Sequence, residues 1–241
     1  MHIIKVKSAT STNDLLKDLA KQQTQEEGLV VFAENQTDGK GQRGNSWESE
    51  PGKNIACSLL LYPTFLPLNQ HFLLSEVVAL GIKSALDSYI QPVEIKWPND
   101  IYYGNKKLCG VLIENELLGA QFSQSIIGIG LNVNQEVFLS DAPNPVSMKQ
   151  ILGKEVSIES VLEETIQAVL AWYEKLRNGE TETIARSYQN ALYRKSGFHD
   201  YEDSHGTFTA RIDRIGDDGF LHLITREGEK RSYAFKEIVF R

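Results

Sequence analysis

Residues 93–114 read Val-Glu-Ile-Lys-Trp-Pro-Asn-Asp-Ile-Tyr-Tyr-Gly-Asn-Lys-Lys-Leu-Cys-Gly-Val-Leu-Ile-Glu, and this stretch points to the kind of fold. It holds two runs with strand character, Val93–Trp97 and Leu108–Glu114. Pro98 ends the first run, since proline fixes φ and lacks the amide hydrogen that a strand interior needs. Gly104-Asn105-Lys106, which follows two tyrosines, is typical of a hairpin turn. We therefore predict antiparallel strands in the middle of the chain.

Strands and helices are intermingled on both sides of this stretch. Alternation or short apolar runs predict further strands at Ile3–Val6, Leu29–Ala33, Ile55–Leu61 and Ser125–Val133. Apolar residues at helical spacing predict helices after the capping cluster Ser11–Asp14, over Phe72–Ile90, after Ser157 and over Glu182–Leu192, with a loop at Asp141–Pro145. This mixture indicates an α+β main domain, assigned to residues 1–194, in which helices pack on a mixed β-sheet.

The last part of the chain, residues 195–241, has a different character. Short apolar runs are separated by glycine turns at Gly206, Gly216-Asp217-Asp218-Gly219 and Gly228. That pattern predicts a small β-barrel or sandwich. Fewer than about 50 residues make a weak independent core, so we expect this second domain to pack on the first.

Composition excludes several classes of protein. A hydrophobic content of 41% is enough for a buried core, and a net charge of −7 argues against a general nucleic-acid binder. Cys57 and Cys109 lie in apolar runs without metal-ligand spacing, which favours buried thiols in a reducing compartment. No apolar run approaches the ~18 residues of a membrane span, and the start of the chain lacks a signal-peptide core. We therefore expect a cytoplasmic protein.

A glycine-rich basic loop is the first candidate for a binding site. Residues 39–47 read Gly-Lys-Gly-Gln-Arg-Gly-Asn-Ser-Trp. Closely spaced glycines allow the backbone to approach a ligand, and their amides can surround an anion. Lys40 and Arg43 add positive charge, so the loop suits a phosphate, a carboxylate or a mixed anhydride of the two. The alternative is a mobile turn without a ligand.

The central stretch supplies further candidates. Asn99 and Asp100 project from the turn at Pro98, where Asp100 could hold a magnesium ion or a ribose hydroxyl; an ordinary Pro-Asn-Asp turn is the alternative. Lys107 begins an apolar strand and could neutralise two reacting anions, although strand-edge lysines also prevent aggregation. Gly110 would let a ligand lie flat on the strand.

A second glycine pattern occurs at Gly128-Ile129-Gly130-Leu131-Asn132. Small residues that alternate on one strand leave a trough, which fits close ligand approach or equally a packing or bulge requirement. The five histidines are scattered, with no helical pair at metal-ligand spacing, and no GxSxG elbow is present. Catalysis through an acyl-enzyme therefore has no visible nucleophile.

Together and in this order, these elements resemble the catalytic domain of biotin–protein ligases, a fold like that of class II synthetases. The resemblance rests on Ser11-Thr12-Asn13, Gln36, the loop Gly39–Trp47, Lys96–Asp100, Lys107–Glu114 and Gly128–Asn132. Residues 195–241 resemble the SH3-like module of the same family. The family's N-terminal winged-helix domain is not expected, because the catalytic pattern starts within the first dozen residues.

The resemblance also implies roles for individual residues. The biotin-binding residues would be Ser11, Thr12, Asn13, Gln36, Gly39, Lys40, Gly41, Gln42, Lys107, Gly110 and Gly130. The nucleotide-binding residues would be Arg43, Gly44, Trp47, Asn99, Asp100 and Asn132. The catalytic residues would be Lys107, Lys40 and Arg43. No metal ligand is expected from the protein other than Asp100, through Mg-ATP. Where many members carry Arg-Gly-Arg, this chain has Lys40-Gly41-Gln42 followed by Arg43, so either Gln42 or Arg43 takes the place of the second arginine.

The activity implied is that of an ATP- and Mg²⁺-dependent biotin–[acetyl-CoA-carboxylase] ligase. It would form biotinyl-5′-AMP and transfer biotin to a lysine of a biotin carboxyl carrier domain. Partners would include that domain and, in one possibility, a second copy of the chain, but neither DNA nor a membrane. The alternatives are a lipoate–protein ligase or octanoyltransferase, and a biotin-binding regulator.

Overall fold

The computed structural model describes residues 2–41, 44–140 and 144–241. Its main part consists of β1 (His2–Ala9), α1 (Thr12–Gln22), β2 (Leu29–Gln36), β3 (Ile55–Leu61), α2 (Phe72–Leu86), β4 (Glu94–Lys96), β5 (Asp100–Tyr103), β6 (Lys106–Leu118), β7 (Gln121–Leu131), α3 (Met148–Leu152), α4 (Ile158–Arg177) and α5 (Thr181–Ala191). The C-terminal part consists of β8 (His199–Asp203), β9 (Gly206–Ile215), β10 (Leu221–Thr225), β11 (Lys230–Tyr233) and β12 (Val239–Phe240).

The main sheet has seven strands in the order β1-β2-β3-β7-β6-β5-β4. Strands β1 and β2 are parallel, and the other neighbouring pairs are antiparallel. The prediction of a mixed sheet packed with helices is therefore confirmed. Strand β3 lies inside the sheet, between β2 and β7, with every residue buried, as its continuous apolar run predicts for a strand covered on both faces.

Helices cover both faces of this sheet. Successive side chains of a strand point to opposite faces, so Val30 and Val31 enter different apolar clusters. On one face, Leu16 of α1 packs against Val31 and Leu60. On the other, α2 and α4 pack together, and Gly81 lets the backbone of α4 approach at Val169. The capping residues predicted for α1 and α4 accept hydrogen bonds from the first turns, Ser11 from Asp14 and Ser157 from Ser160.

Several bounds differ from the predicted ones for local reasons. Helix α2 ends at Leu86, four residues early, because Asp87–Ile90 forms turns ahead of Pro92. Strand β7 begins at Gln121 because its mostly polar first residues pair with the outer half of β6; on one face Phe122 and Gln124 are buried, and the other face is exposed or half-buried. Helix α3 was not predicted; Ser147 and Gln150 close a capping box at its start. Of the predicted loop Asp141–Pro145, residues 141–143 lie outside the described residues.

The C-terminal strands form a second sheet, entirely antiparallel, in the order β11-β10-β9-β8-β12. Within residues 199–240 the strand pairing leaves β11 and β12 at the two edges. The sheet is joined to the main part at the turn between β4 and β5, where the Trp97 indole donates to the Gly219 carbonyl at 2.9 Å. Phe72 of α2 packs against Gly219 from the other side. Among the described residues, no helix has the length and hydropathy needed to cross a bilayer.

Candidate active site

A cavity of about 1040 Å³ opens between the main sheet and the C-terminal strands. Most of the residues predicted for a site line it, namely Ser11, Thr12, Asn13, Gln36, Lys40, Gly41, Gly44, Trp47, Asn99, Asp100, Lys107, Gly110 and Gly130. Gly39 and Asn132 do not line it, and Gln42 and Arg43 lie outside the described residues. The sequence motifs, which are up to about 120 positions apart, therefore meet in one place.

One end of the cavity, here called the polar end, is formed by Ser11, Thr12, Asn13 and Gln36 with Ser58 behind them. The N-terminus of α1 brings its first residues to the end of β2, where Gln36 Oε1 accepts from the Thr12 amide at 2.9 Å and from its hydroxyl at 3.2 Å. The Ser58 hydroxyl donates to Asn13 Oδ1 at 2.5 Å, and its oxygen also lies 2.7 Å from Thr12 Oγ1, within hydrogen-bond distance. These groups fix one another before any ligand binds.

Asn13 connects the polar end to the middle of the sheet. Its amide nitrogen donates to the Glu114 carboxylate at 2.8 Å, and Lys17 lies 3.6 Å from the other oxygen of that carboxylate. A Cβ at Gly128 would come within 2.5 Å of Asn13 Oδ1, so this glycine makes room for the side chain of Asn13. Ser58 was missed by the sequence analysis; its only signal is a hydroxyl inside an otherwise apolar, fully buried strand.

The Trp47 ring lies on the floor of the cavity. A Cβ at Gly130 would overlap the indole, and one at Gly110 would come within 2.9 Å of it. The two glycines were predicted to let a ligand lie flat on the strands; here they accommodate this aromatic ring. Trp47 Nε1 is buried and has no hydrogen-bond partner among the described residues, which leaves a donor inside the cavity wall.

The described part of the glycine loop folds back on itself. Lys40 pairs with Ser46 in an antiparallel bridge, and the Gly41 amide donates to Asn45 O at 2.6 Å. A Cβ at Gly39 would overlap the Trp47 carbonyl, so Gly39 serves the loop rather than the cavity. Lys40 Nζ is 2.5 Å from Asp14 Oδ2, and this hydrogen bond raises the pKa of Lys40.

Lys107 and Asp100 form an ion pair at the cavity wall, with Nζ 2.8 Å from Oδ2 and each side chain about one quarter exposed. Lys107 also lies 5.6 Å from the Trp47 ring centroid and close to Gly110. Its neighbour Lys106 is exposed. Lys107 therefore links the floor at Gly110 to the turn that carries Asp100.

Three different elements hold the turn 97–99 that precedes Asp100. Tyr188 of α5 donates to the Pro98 carbonyl at 2.6 Å, and Trp97 donates to Gly219 as described above. Asn99 is buried and donates to Val111 O at 3.0 Å, so its amide nitrogen is used by the fold. Asn132 is likewise buried and donates to Val146 O at 3.2 Å.

The opposite end of the cavity, here called the charged–aromatic end, is formed by Lys96, Tyr102, Phe235 and Phe240. Lys96 Nζ lies 3.1 Å from the Tyr102 hydroxyl, and 4.7 and 5.3 Å from the ring centroids of Tyr102 and Phe240. Burial lowers the pKa of Lys96, although Asp100 opposes the shift. Lys96 belongs to the predicted motif Lys96–Asp100, and Phe235 lies in the part of the chain that resembles the SH3-like module, whereas nothing in the sequence around Phe240 indicates this contact.

A metal ion would find few protein ligands here. Within residues 2–41, 44–140 and 144–241 no three histidine, cysteine, aspartate or glutamate side chains come together in a metal-binding group. Asp100 presents a carboxylate to the cavity, and that carboxylate already pairs with Lys107. Among the described residues that line the cavity, Asp100 is the one acidic side chain.

Comparisons with known proteins agree with this geometry. The model of the Biotin/lipoate A/B protein ligase family matches residues 5–132. The bifunctional ligase/repressor BirA of Bacillus spizizenii is 31% identical over 247 residues, which cover 97% of this chain and 72% of BirA. The biotin–[acetyl-CoA-carboxylase] ligase of Paracoccus denitrificans is 30% identical over 208 residues, covering 80% of this chain and 82% of that protein.

A solved structure agrees as well. Biotin protein ligase from Aquifex aeolicus in complex with biotin and ATP superimposes with a TM-score of 0.80 at 25% identity, covering 100% of this chain and 98% of that one. Fold, cavity and relatives together define an enzyme of the ligase class. The chain belongs to the Biotin/lipoate A/B protein ligase family. The resemblance to biotin–protein ligases predicted from the order of the motifs is confirmed.

Proposed function

We propose that this ligase activates biotin with ATP as biotinyl-5′-AMP and transfers the biotinyl group to a lysine of a biotin carboxyl carrier domain. One observation carries the proposal above all. Lys107 stands between the two ends of a single cavity, in contact with the floor at Gly110 and paired with Asp100. A carboxylate bound from the polar end and a phosphate bound from the charged–aromatic end would both reach it.

The polar end suits the ureido ring of biotin. A ureido group offers one carbonyl acceptor and two N–H donors, and the cavity presents hydroxyl and amide groups from Ser11, Thr12, Asn13 and Gln36. Because Ser58 and Glu114 already orient these groups, little conformational entropy is lost on binding. We assign Lys40, Gly41 and the undescribed Gln42 to the carboxylate side of biotin, with Gly39 shaping their loop.

The first step joins two anions, so its barrier is largely electrostatic. A biotin carboxylate oxygen attacks the α-phosphorus of ATP, and pyrophosphate leaves with the electrons of the broken P–O bond. Lys107 would lower the repulsion, assisted by Lys40, the undescribed Arg43, and Mg²⁺ that enters with ATP. We assign Gly44, Trp47, Asn99, Asp100 and Asn132 to the nucleotide side, Asn99 and Asn132 as supports of the wall because their amides are engaged by backbone carbonyls.

In the second step the amine of an acceptor lysine attacks the biotinyl carbonyl carbon. An amide forms, AMP leaves with the bonding electrons, and the proton of the attacking amine passes to solvent or phosphate. The reaction needs no enzyme nucleophile, in keeping with the absence of one from the sequence motifs.

We propose residues 1–194 as the catalytic domain and 195–241 as an SH3-like domain that completes its cavity. We propose a cytoplasmic protein that recognises the carrier domain of a biotin-dependent carboxylase, binds no DNA, and can form a homodimer.

Exchange of labelled pyrophosphate into ATP tests the first step. The proposal requires exchange that depends on biotin, followed by a mass increase of one biotinyl group on a purified carrier domain. Equal or faster exchange with lipoate or octanoate would identify the chain as a lipoate ligase or an octanoyl-transferring enzyme instead. Biotin binding without exchange would favour a regulator.

A further inference from the structure

A chain of hydrogen bonds runs behind the polar end of the cavity and ends on a charge. Asn13 Nδ2 donates to Glu114 Oε2 at 2.8 Å. On the other side of the same amide, Asn13 Oδ1 lies 2.5 Å from Ser58 Oγ, and Ser58 Oγ lies 2.7 Å from Thr12 Oγ1. Thr12, Asn13 and Ser58 are each at most 3% exposed. Because water hardly reaches these groups, each depends on the next for its hydrogen-bond partner.

The carboxylate of Glu114 decides which way round the Asn13 amide lies. A carboxylate can only accept hydrogen bonds, so the Asn13 nitrogen must face it. The opposite orientation would bring the amide oxygen against a negatively charged oxygen at the same short distance. Lys17 lies 3.6 Å from the other Glu114 oxygen, so this carboxylate is also half of an ion pair. Asn13 Oδ1 is therefore turned to Ser58 as an acceptor.

The direction passes along the chain through two hydroxyl groups. A hydroxyl has one hydrogen, and that of Ser58 goes to Asn13 Oδ1, which cannot donate. Ser58 then offers only lone pairs to Thr12. The hydrogen of the Thr12 hydroxyl stays inside the protein, toward Ser58 Oγ at 2.7 Å or Gln36 Oε1 at 3.2 Å. Thr12 Oγ1 is thus left as a hydrogen-bond acceptor in the cavity wall.

Gln36, next to Thr12, has the opposite polarity. Its Oε1 accepts from the Thr12 backbone amide at 2.9 Å, a donor that cannot reverse, so the Nε2 group is what remains to donate to a ligand. Nε2 lies toward the glycine loop, since a Cβ at Gly39 would come within 2.8 Å of it. An acceptor beside a donor matches one edge of a ureido group, where an N–H adjoins the carbonyl. The acceptor of this pair depends on Glu114, whereas the donor does not.

We propose that Glu114 is a positioning residue for biotin: without lining the cavity, it fixes the direction of the hydrogen-bond chain so that Thr12 Oγ1 accepts from a ureido N–H. This inference rests on the proposed function and adds a determinant of specificity to it. The charge sets the direction, because an uncharged amide in this position both donates and accepts and lets the chain run either way. The carboxylate thus selects ligand rings that carry an N–H over rings that carry none.

Calorimetric titration of Glu114→Gln with biotin tests the inference. The variant keeps the size of the side chain and loses its charge, so the chain reverses in part and biotin should bind about tenfold more weakly. In a Thr12→Val background the same change should alter biotin affinity by less than about twofold, because the acceptor that Glu114 orients is already gone. Desthiobiotin, which keeps the ureido ring but lacks the sulfur ring, should lose affinity by the same factor as biotin.

Glu116→Gln is the matched control. Glu116 lies two residues further along β6 and also accepts from an amide nitrogen, that of Gln124 at 2.8 Å. Neither of these two residues lines the cavity. Because this change removes the same charge from the same strand without touching the chain behind Thr12, biotin affinity should stay within about twofold of that of the unmodified protein.

The other outcomes contradict the inference or the function beneath it. Unchanged biotin affinity in Glu114→Gln overturns the inference, and so does an equal loss with and without the Thr12 hydroxyl, a matching loss in Glu116→Gln, or a loss that desthiobiotin does not share. If the unmodified protein binds neither biotin nor desthiobiotin, the proposed function itself fails. Should Glu114→Gln unfold, Ser58→Ala takes its place: it breaks the same chain one link closer to Thr12 and must likewise have no further effect in the Thr12→Val background.

Discussion

At the polar end of the cavity, Thr12, Asn13 and Ser58 share hydrogen bonds within one helix start and the adjacent strand, whereas the charged–aromatic end takes Lys96 from the main sheet and Phe240 from the C-terminal one. Polar groups of the first end are partnered within the main part of the chain, between α1 and strands β2 and β3. The second end exists only where two sheets meet. We conclude that the first end is preorganised by the main part alone, while the second depends on the contact between the two parts of the chain.

The sharpest test of this contrast lies at Lys107, which stands between the two ends beside Gly110 and Asp100. Lys107→Ala should slow adenylate formation about a hundredfold, or ~2.7 kcal/mol of barrier, because the charge that balances two anions is lost. Lys106→Ala should change it less than twofold, since Lys106 is exposed on the other side of the strand. Pyrophosphate exchange measures both. Equal slowing of pyrophosphate exchange in the two variants would contradict a specific role of Lys107 in adenylate formation.

The second test concerns a buried carboxyl group near the contact between α2 and the C-terminal sheet, a contact of the kind on which the charged–aromatic end depends. Glu76 of α2 is 5% exposed, and its Oε2 has no hydrogen-bond partner among the described residues. Burial, with repulsion from Asp217, raises the pKa of Glu76 to about 8. The folded protein therefore keeps a proton that the unfolded chain releases above pH ~4.3. Stability should fall as pH rises from that value toward 8, by up to ~1.4 kcal/mol per unit.

Glu76→Gln should remove this dependence. Chemical denaturation at pH 6.0 and 7.5 should show a loss of about 2 kcal/mol in the unmodified protein and a clearly smaller one in the variant. The group has no counterpart at the polar end, where the buried polar side chains are neutral and partnered. Identical pH profiles of the free energy of unfolding would mean that Glu76 ionises in the folded protein at no cost in stability.

A third test probes the preorganisation of the polar end. Ser58→Ala removes the hydroxyl that orients Thr12 and Asn13, and should weaken biotin binding about tenfold, or ~1.4 kcal/mol. Ser125→Ala is the matched control, because Ser125 is a buried serine of the same sheet that donates to Asn115 away from the cavity. Titration with biotin compares the two. Equal losses would indicate a general weakening of the sheet.

The smallest expected effect concerns the turn that carries Asp100. Tyr188→Phe removes the hydroxyl bonded to Pro98 O and should lower the rate of adenylate formation about fivefold, or ~1 kcal/mol, with biotin affinity unchanged. Tyr173→Phe loses a comparable buried hydrogen bond, to Glu27, far from the cavity. It should cost stability without affecting the rate. A rate defect shared by both variants would point to stability alone.

The two ends of the cavity also differ in how many of their residues could be predicted from the sequence. At the polar end the local signals showed only that Ser11 begins a helix and that glycines alternate along β7, and the binding residues were predicted from the resemblance to biotin–protein ligases. The charged–aromatic end was half visible, through Lys96 and the turn at Pro98. Phe240 is separated from Lys96 by more than 140 positions, and its contact with the lysine arises from packing between sheets, which leaves no periodic signal.

The floor of the cavity illustrates a further limit. Gly110 and Gly130 were recognised as places of close approach, yet the group that approaches in the structure is Trp47. A glycine in a strand indicates that another group lies close to the backbone, but it does not identify that group. Ser58 shows the reverse case, a polar residue in a buried strand whose partners come from a distant helix and could not be identified from its neighbours in sequence.

The position of Trp47 on those two glycines gives the protein an optical reporter of its own. The chain has three tryptophans. Trp172 donates to Ser84 on the outside of the helical layer, and Trp97 is fixed by Gly219. Among the described residues, only Trp47 has an indole N–H without a hydrogen-bond partner and a ring that lies on the floor of the cavity. Because Trp97 also lines the cavity, a change in tryptophan emission on adding a ligand should arise at Trp47 and Trp97, so that occupancy of the cavity can be followed without a label.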